Sequence, residues 1–64
     1  MDIRKMLREC GQELAADMGG VIDDTVAYEV AGSLLNDPAV LTAAKKEWPG
    51  KSNAILQEIM ANHI

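Results

Sequence analysis

Phenylalanine is absent from this chain, and tryptophan and tyrosine occur once each, as Trp48 and Tyr28. Any core must therefore be assembled from Leu, Ile, Val, Met and Ala, a set weighted towards good helix formers. Cysteine and histidine are equally scarce, with Cys10 and His63 the sole examples. One thiol excludes an internal disulfide and one histidine cannot complete a zinc site, so the usual staples of small folds are missing. No apolar run approaches the roughly 20 residues that span a bilayer, and no membrane partner is expected. The opening Met1-Asp2-Ile3-Arg4-Lys5 leads into a charged segment instead of the apolar centre of a signal peptide. A lone thiol also suits a reducing compartment, so the expected location is the cytoplasm.

Positive charge is missing from the whole middle of the chain. Residues 13–37 hold Glu13, Asp17, Asp23, Asp24, Glu29 and Asp37 with no Lys or Arg, a sum of −6. Residues 1–12 set Arg4, Lys5 and Arg8 against Asp2 and Glu9, and residues 38–64 set Lys45, Lys46 and Lys51 against Glu47 and Glu58, each a sum of +1. The total of −4 is thus an acidic centre between slightly basic ends. Such a balance disfavours phosphate backbones overall while leaving room for a local basic face.

What is present is helical periodicity. Ile3, Leu7, Cys10 and Leu14 recur at spacings of 4, 3 and 4 with Met6 and Met18 beside them, predicting an amphipathic helix over residues 2–18 that Gly19-Gly20 stops. Gly11 inside it costs about 1 kcal/mol of propensity, which implies either a close backbone neighbour or a locally weak helix. Asp23 and Asp24 suit the start of a second helix, 23–35, with Val26, Val30 and Leu34 on one line and Ala27, Ala31 and Leu35 beside it. Asn36-Asp37-Pro38 is the clearest boundary, a capping carboxylate followed by proline at the first helical position. A third helix over 38–48 follows, carrying Val40, Leu41, Ala44 and Trp48 inward, with Trp48 read as a core plug. Pro49-Gly50 ends it, and Ser52 caps a fourth helix over 52–63 whose buried face is expected to be Ile55, Leu56, Ile59 and Met60. The expected fold is all-α, a single domain over residues 1–64 with about four short helices and an aliphatic core. At this length folding removes only about 60% of the unfolded chain's surface, which makes a second copy the natural supplement.

A search for chemistry returns structural explanations instead. Cys10 lies on the apolar stripe of the first helix and reads as a small buried hydrophobe. His63 stands in a terminal turn expected to fray. Asp23-Asp24 is accounted for by capping, and no alternating acidic loop of a calcium site is present. Gly50-Lys51-Ser52 matches the end of a phosphate-binding loop, but the required earlier glycine is replaced by Lys45 and no strand precedes it. Lys51 and the free amides opening the fourth helix are left as a modest anion-holding feature. No catalytic residue, cofactor or metal site is therefore assigned, and the chain is not expected to be an enzyme.

Residues 43–60, AAKKEWPGKSNAILQEIM, have the layout of a helix-turn-helix, two helices around a Pro-Gly turn with a polar opening to the second. Within them WPGKSNAI resembles the turn and recognition-helix start of Myb-type repeats over about eight residues. The resemblance implies Lys51, Asn53 and Gln57 as readers of nucleic acid and Lys45 and Lys46 on its backbone. The chain departs from that pattern in having one tryptophan and in continuing Leu56-Gln57-Glu58-Ile59 where such repeats are basic.

Two functional expectations follow. The first is a small acidic helical module for protein-protein interaction, homodimeric and non-catalytic, whose acidic band of Glu13, Asp17, Asp24 and Glu29 complements a partner with a basic surface. Its four methionines suit an adaptable contact surface. The alternative is a DNA-binding protein that uses residues 38–63.

Overall fold

Residues 1–64 are all described by a computed structural model: four α-helices follow one another with no strand, α1 Ile3–Asp17, α2 Asp24–Leu34, α3 Pro38–Glu47 and α4 Asn53–His63. Every boundary lies within one residue of its expected position, and the capping chemistry explains why. The Asp2 carboxylate accepts from the Lys5 amide at 3.1 Å, Asp23 from Thr25 at 2.7 Å, Asp37 from Ala39 at 2.9 Å, and the Ser52 hydroxyl from Ile55 at 3.3 Å. Each satisfies one amide that a helix start leaves without a partner. Helix α1 ends where Gly19 takes a φ of +81° and the Gly20 amide reaches back to the Ala15 carbonyl at 2.6 Å. That six-to-one bond needs left-handed backbone, which glycine adopts without steric cost. Helix α2 ends by tightening, with the Asn36 and Asp37 amides bonded to the Ser33 and Leu34 carbonyls, and Pro38 then opens α3.

Packing selects small residues as often as large ones. The core comprises Ile3 and Leu7 of α1, Ala31 of α2, Val40 and Ala44 of α3, and Leu56 and Met60 of α4. Leu7, Leu56 and Met60 are fully buried. Helix α2 lies chiefly against α4, while α1 touches both α3 and α4. The surface of 4137 Å² is close to the roughly 4,000 Å² of a compact monomer of this mass.

The close approach of α2 to α4 is permitted by side-chain size. Ala27 and Ala31 are the buried residues of α2, and Gly32 lies beneath the Gln57 side chain, whose Nε2 donates to the Tyr28 carbonyl at 2.9 Å. A Cβ at Gly32 would stand 2.6 Å from that Nε2. Gly11 has a comparable cause: a Cβ there would stand 3.2 Å from Cα of Ile64 and closer still to its carbonyl carbon. Of the two explanations for this mid-helix glycine, the close backbone neighbour is the correct one.

Three expectations of burial need correction. Ile55 was expected within the buried face of α4 and is 45% exposed, because Leu56 and Met60 point at the core and Ile55 is turned aside from them. Cys10 is half-buried instead of enclosed, since Ile3, Leu7 and Gly11 take the buried line of α1 and Cys10 lies beside it. His63 does not fray. It belongs to α4, and its Nδ1 lies 3.0 Å from the Ile59 carbonyl. Trp48 is half-buried and packs against the core, as its position at the end of α3 suggests.

Candidate functional site

Helix α2 carries apolar residues around more of its circumference than one neighbour can cover. With α4 seated on Ala27 and Ala31, Val26 and Val30 are left half-buried along the outer side, and Leu34, which packs partly against the core, continues their line. These three, with Glu29 and Ser33, line a shallow groove of about 370 Å³. Their spacing of i, i+3, i+4, i+7 and i+8 is that of a helix-packing seam. The apolar character continues beside α2 in the preceding connection, where Val21 is 77% exposed, and at Met18, 42% exposed.

The electrostatics of this region are of one sign. Glu13, Asp17, Asp24 and Glu29 are all exposed, and the one salt bridge of the molecule joins Arg4 to Glu47 and so includes none of them. The four do not converge. Glu13 and Asp17 share one side of α1, Glu29 borders the outer seam of α2, and Asp24 borders a separate depression of about 330 Å³ between α2 and α4, opposite Glu58. No three His, Cys, Asp or Glu side chains gather closely enough to hold a metal ion. The four carboxylates are thus spread over α1 and two sides of α2 with no point of chelation, and Glu29 is the one that borders the apolar seam. On α1, partial burial raises the Cys10 thiol pKa above its ordinary value, with a smaller push from Glu13.

Comparison with protein-family models, curated proteins and solved structures yields no match.

The residues expected to contact nucleic acid separate into two groups. Lys45, Lys46, Lys51 and Asn53 are exposed near the α3–α4 turn. Gln57 is half-buried and its amide is engaged with the Tyr28 carbonyl, so it faces α2. The principal neighbour of α4 is α2. In a helix-turn-helix the recognition helix is instead braced by the helix before it.

A cluster that periodicity did not reveal joins three helices. The Arg4 Nε donates to Glu47 at 2.6 Å, its Nη1 lies 3.4 Å from His63 Nε2, and its guanidinium sits 5.5 Å from the Trp48 ring centroid. Trp48 and His63 meet edge to face at 5.3 Å. The Ile59 carbonyl can only accept, so Nδ1 of His63 is its donor, and Nε2 is turned towards Arg4. This arrangement holds the last turn of α4 to α1 and α3. Its partners are 43 and 59 residues apart, and no local signal announces such pairs.

The largest depression, an open groove of about 700 Å³, runs between the start of α1 and α3 past Ile3, Ala39, Thr42, Ala43, Lys46 and Glu47. Its charges are mixed, and Glu47 is already held by Arg4. Few polar groups there are free to orient a small molecule. No helix of the chain is long and apolar enough to cross a membrane.

Proposed function

We propose that this chain is a non-catalytic protein-interaction module, a small acidic helical regulator that docks on a basic surface of another protein. The observation carrying this reading is the half-buried apolar line along α2, bordered by exposed Glu29 and lying in a stretch, residues 13–37, that has no cation. Reactive residues give no rival explanation: the Cys10 thiol is held towards its protonated form, and His63 is occupied by Ile59 and Arg4. The sign of the charge also bears on self-association. Chain length argues for a second copy, yet two copies meeting through residues 13–37 would bring carboxylates against carboxylates with no intervening cation.

The test is affinity capture with two baits, the natural chain and one carrying Glu13→Lys, Asp17→Lys, Asp24→Lys and Glu29→Lys. All four positions are exposed, so the fold should survive, which circular dichroism checks. The reading expects partners retained by the natural bait at physiological salt and lost by the reversed one. Identical capture by both would sink it. Salt-sensitive binding of random duplex DNA at about 50 mM salt would also sink it, in favour of the basic α3–α4 turn. Light scattering during size exclusion would give a dimer mass if the partner is a second copy.

A further inference from the structure

We infer that the outer seam of α2 is a docking groove for one amphipathic helix of another protein, with its apolar side against Val26, Val30 and Leu34 and its flanks basic. The inference rests on the interaction reading above and names the partner's chemistry. The five lining residues occupy i, i+3, i+4, i+7 and i+8 of a single helix, the surface against which a second helix packs ridge into groove. Ser33 is the small member of the set and leaves the space beside Val30 open, so an incoming side chain can seat there.

Two features specify the occupant. The first is charge. Between Arg8 and Lys45 there is no cation, the seam is bordered by Glu29, and the last turn of α2 carries no basic residue to offset the negative end of its dipole. Asp24 faces the separate depression towards α4, so Glu29 is the carboxylate on the seam itself. A helix lying along the seam therefore meets Glu29 and the negative end of the α2 dipole with no cation on α2 to oppose them, and lysine or arginine at its flanking positions is favoured. A second copy of α2 brings the same acidic set and is disfavoured.

The second is size. Helix α2 has 11 residues. At 1.5 Å per residue it is about 16 Å long, room for about three turns of a partner helix. One such seam falls well short of the roughly 800 Å² per partner of a standard protein interface, so the fitting occupant is a short helical segment that binds reversibly. The larger groove beside α3 lacks this single-sign rim.

The inference is tested on the full ¹⁵N-labelled chain with three synthetic peptides. The first is helix-forming, with leucine at every third or fourth position and lysine flanking, the second has glutamate in place of each lysine, and the third scrambles the first. The first peptide should shift the amides of residues 26–34, while the other two bind at least tenfold more weakly, a gap of about 1.4 kcal/mol. Val30→Asp should weaken binding about tenfold, and Ser33→Arg, at an exposed position that leaves the core untouched, should do the same. Equal binding of the glutamate peptide, shifts confined to the α1–α3 groove, unchanged affinity in Ser33→Arg, or no shifts at all would each overturn the seam. So would a dimer that Ser33→Arg converts to monomer, since the occupant would then be a second copy. The two levels fail separately: unchanged capture by the charge-reversed bait removes the interaction reading, whereas intact, charge-dependent capture with peptide shifts elsewhere removes only the seam.

Discussion

On the side of α2 turned towards α4, Ala27 and Ala31 are buried and Gly32 lies under the Gln57 side chain. A third of a turn away on the same helix, Val26 and Val30 remain half-exposed. A hydropathy scale would rank the two lines the other way. Size resolves the difference, because an 11-residue helix can lie tightly on its neighbour only if the residues between the backbones are small. The bulkier, β-branched residues are then left at the margin, where apolar surface is available to something else.

The contrast between a closed and an open face is tested most severely by truncation. Leu56 is fully buried between helices, and Leu56→Ala should cost about 3 kcal/mol. A chain of this length has a total stability of roughly 3–10 kcal/mol, so the variant should be close to unfolding in a urea titration followed by circular dichroism. Val30→Ala removes side-chain atoms already partly in water and should cost under about 1 kcal/mol. Comparable losses at both positions would mean that the seam is covered in solution.

Enlargement gives the complementary test. Ala31→Leu inserts three carbons where α2 meets the core and should cost about 1–3 kcal/mol. Val30→Leu adds one carbon on the open side and should stay within about 0.5 kcal/mol of the natural chain. If Ala31→Leu were tolerated as well as Val30→Leu, the two faces would not differ in closeness of approach.

Next in expected effect is the glycine inside α1. At an open helical site Gly→Ala stabilises by about 1 kcal/mol. At Gly11 the new methyl meets the Ile64 backbone, and Ile64 is packed on the core. Gly11→Ala should therefore reverse the sign, with a net loss of about 1 kcal/mol as the last residue is displaced. A gain in melting temperature would show that this end is not docked.

Much of this architecture is legible in the sequence because it is local. Asp2, Asp23, Asp37 and Ser52 are capping residue types, and Gly19-Gly20, Asp37-Pro38 and Pro49-Gly50 interrupt the helical pattern where no helix can continue. What periodicity does not reveal is which apolar line faces inward. It identifies the valines and the alanines of α2 equally, and it places Ile55 beside Leu56 although only Leu56 is enclosed. Nor does it foresee that Gln57 is spent on the Tyr28 carbonyl, or that Arg4 reaches Glu47 and His63. Those are matters of how helices distant in sequence are set against each other. The acidic residues of the candidate site were visible one by one. Their division between α1 and two sides of α2 was not.

The smallest expected effect comes from Cys10, which lies beside the buried line of α1. Its thiol is half-buried beside Glu13, and both influences favour the neutral form, raising its pKa above the ordinary value near pH 9. In the unfolded chain the thiol ionises first as pH rises, so between its unfolded and folded pKa values the native state binds more protons than the unfolded state. Stability must then fall as pH rises through that window and be unaffected below it. Cys10→Ser should remove this alkaline component while leaving the rest of the profile in place. Near pH 8 the same effect makes alkylation of the native thiol by iodoacetamide slower than in the urea-unfolded chain, because the thiolate is the attacking species. Equal rates in the two states would show that the desolvating contacts around Cys10 open faster than the reagent reacts.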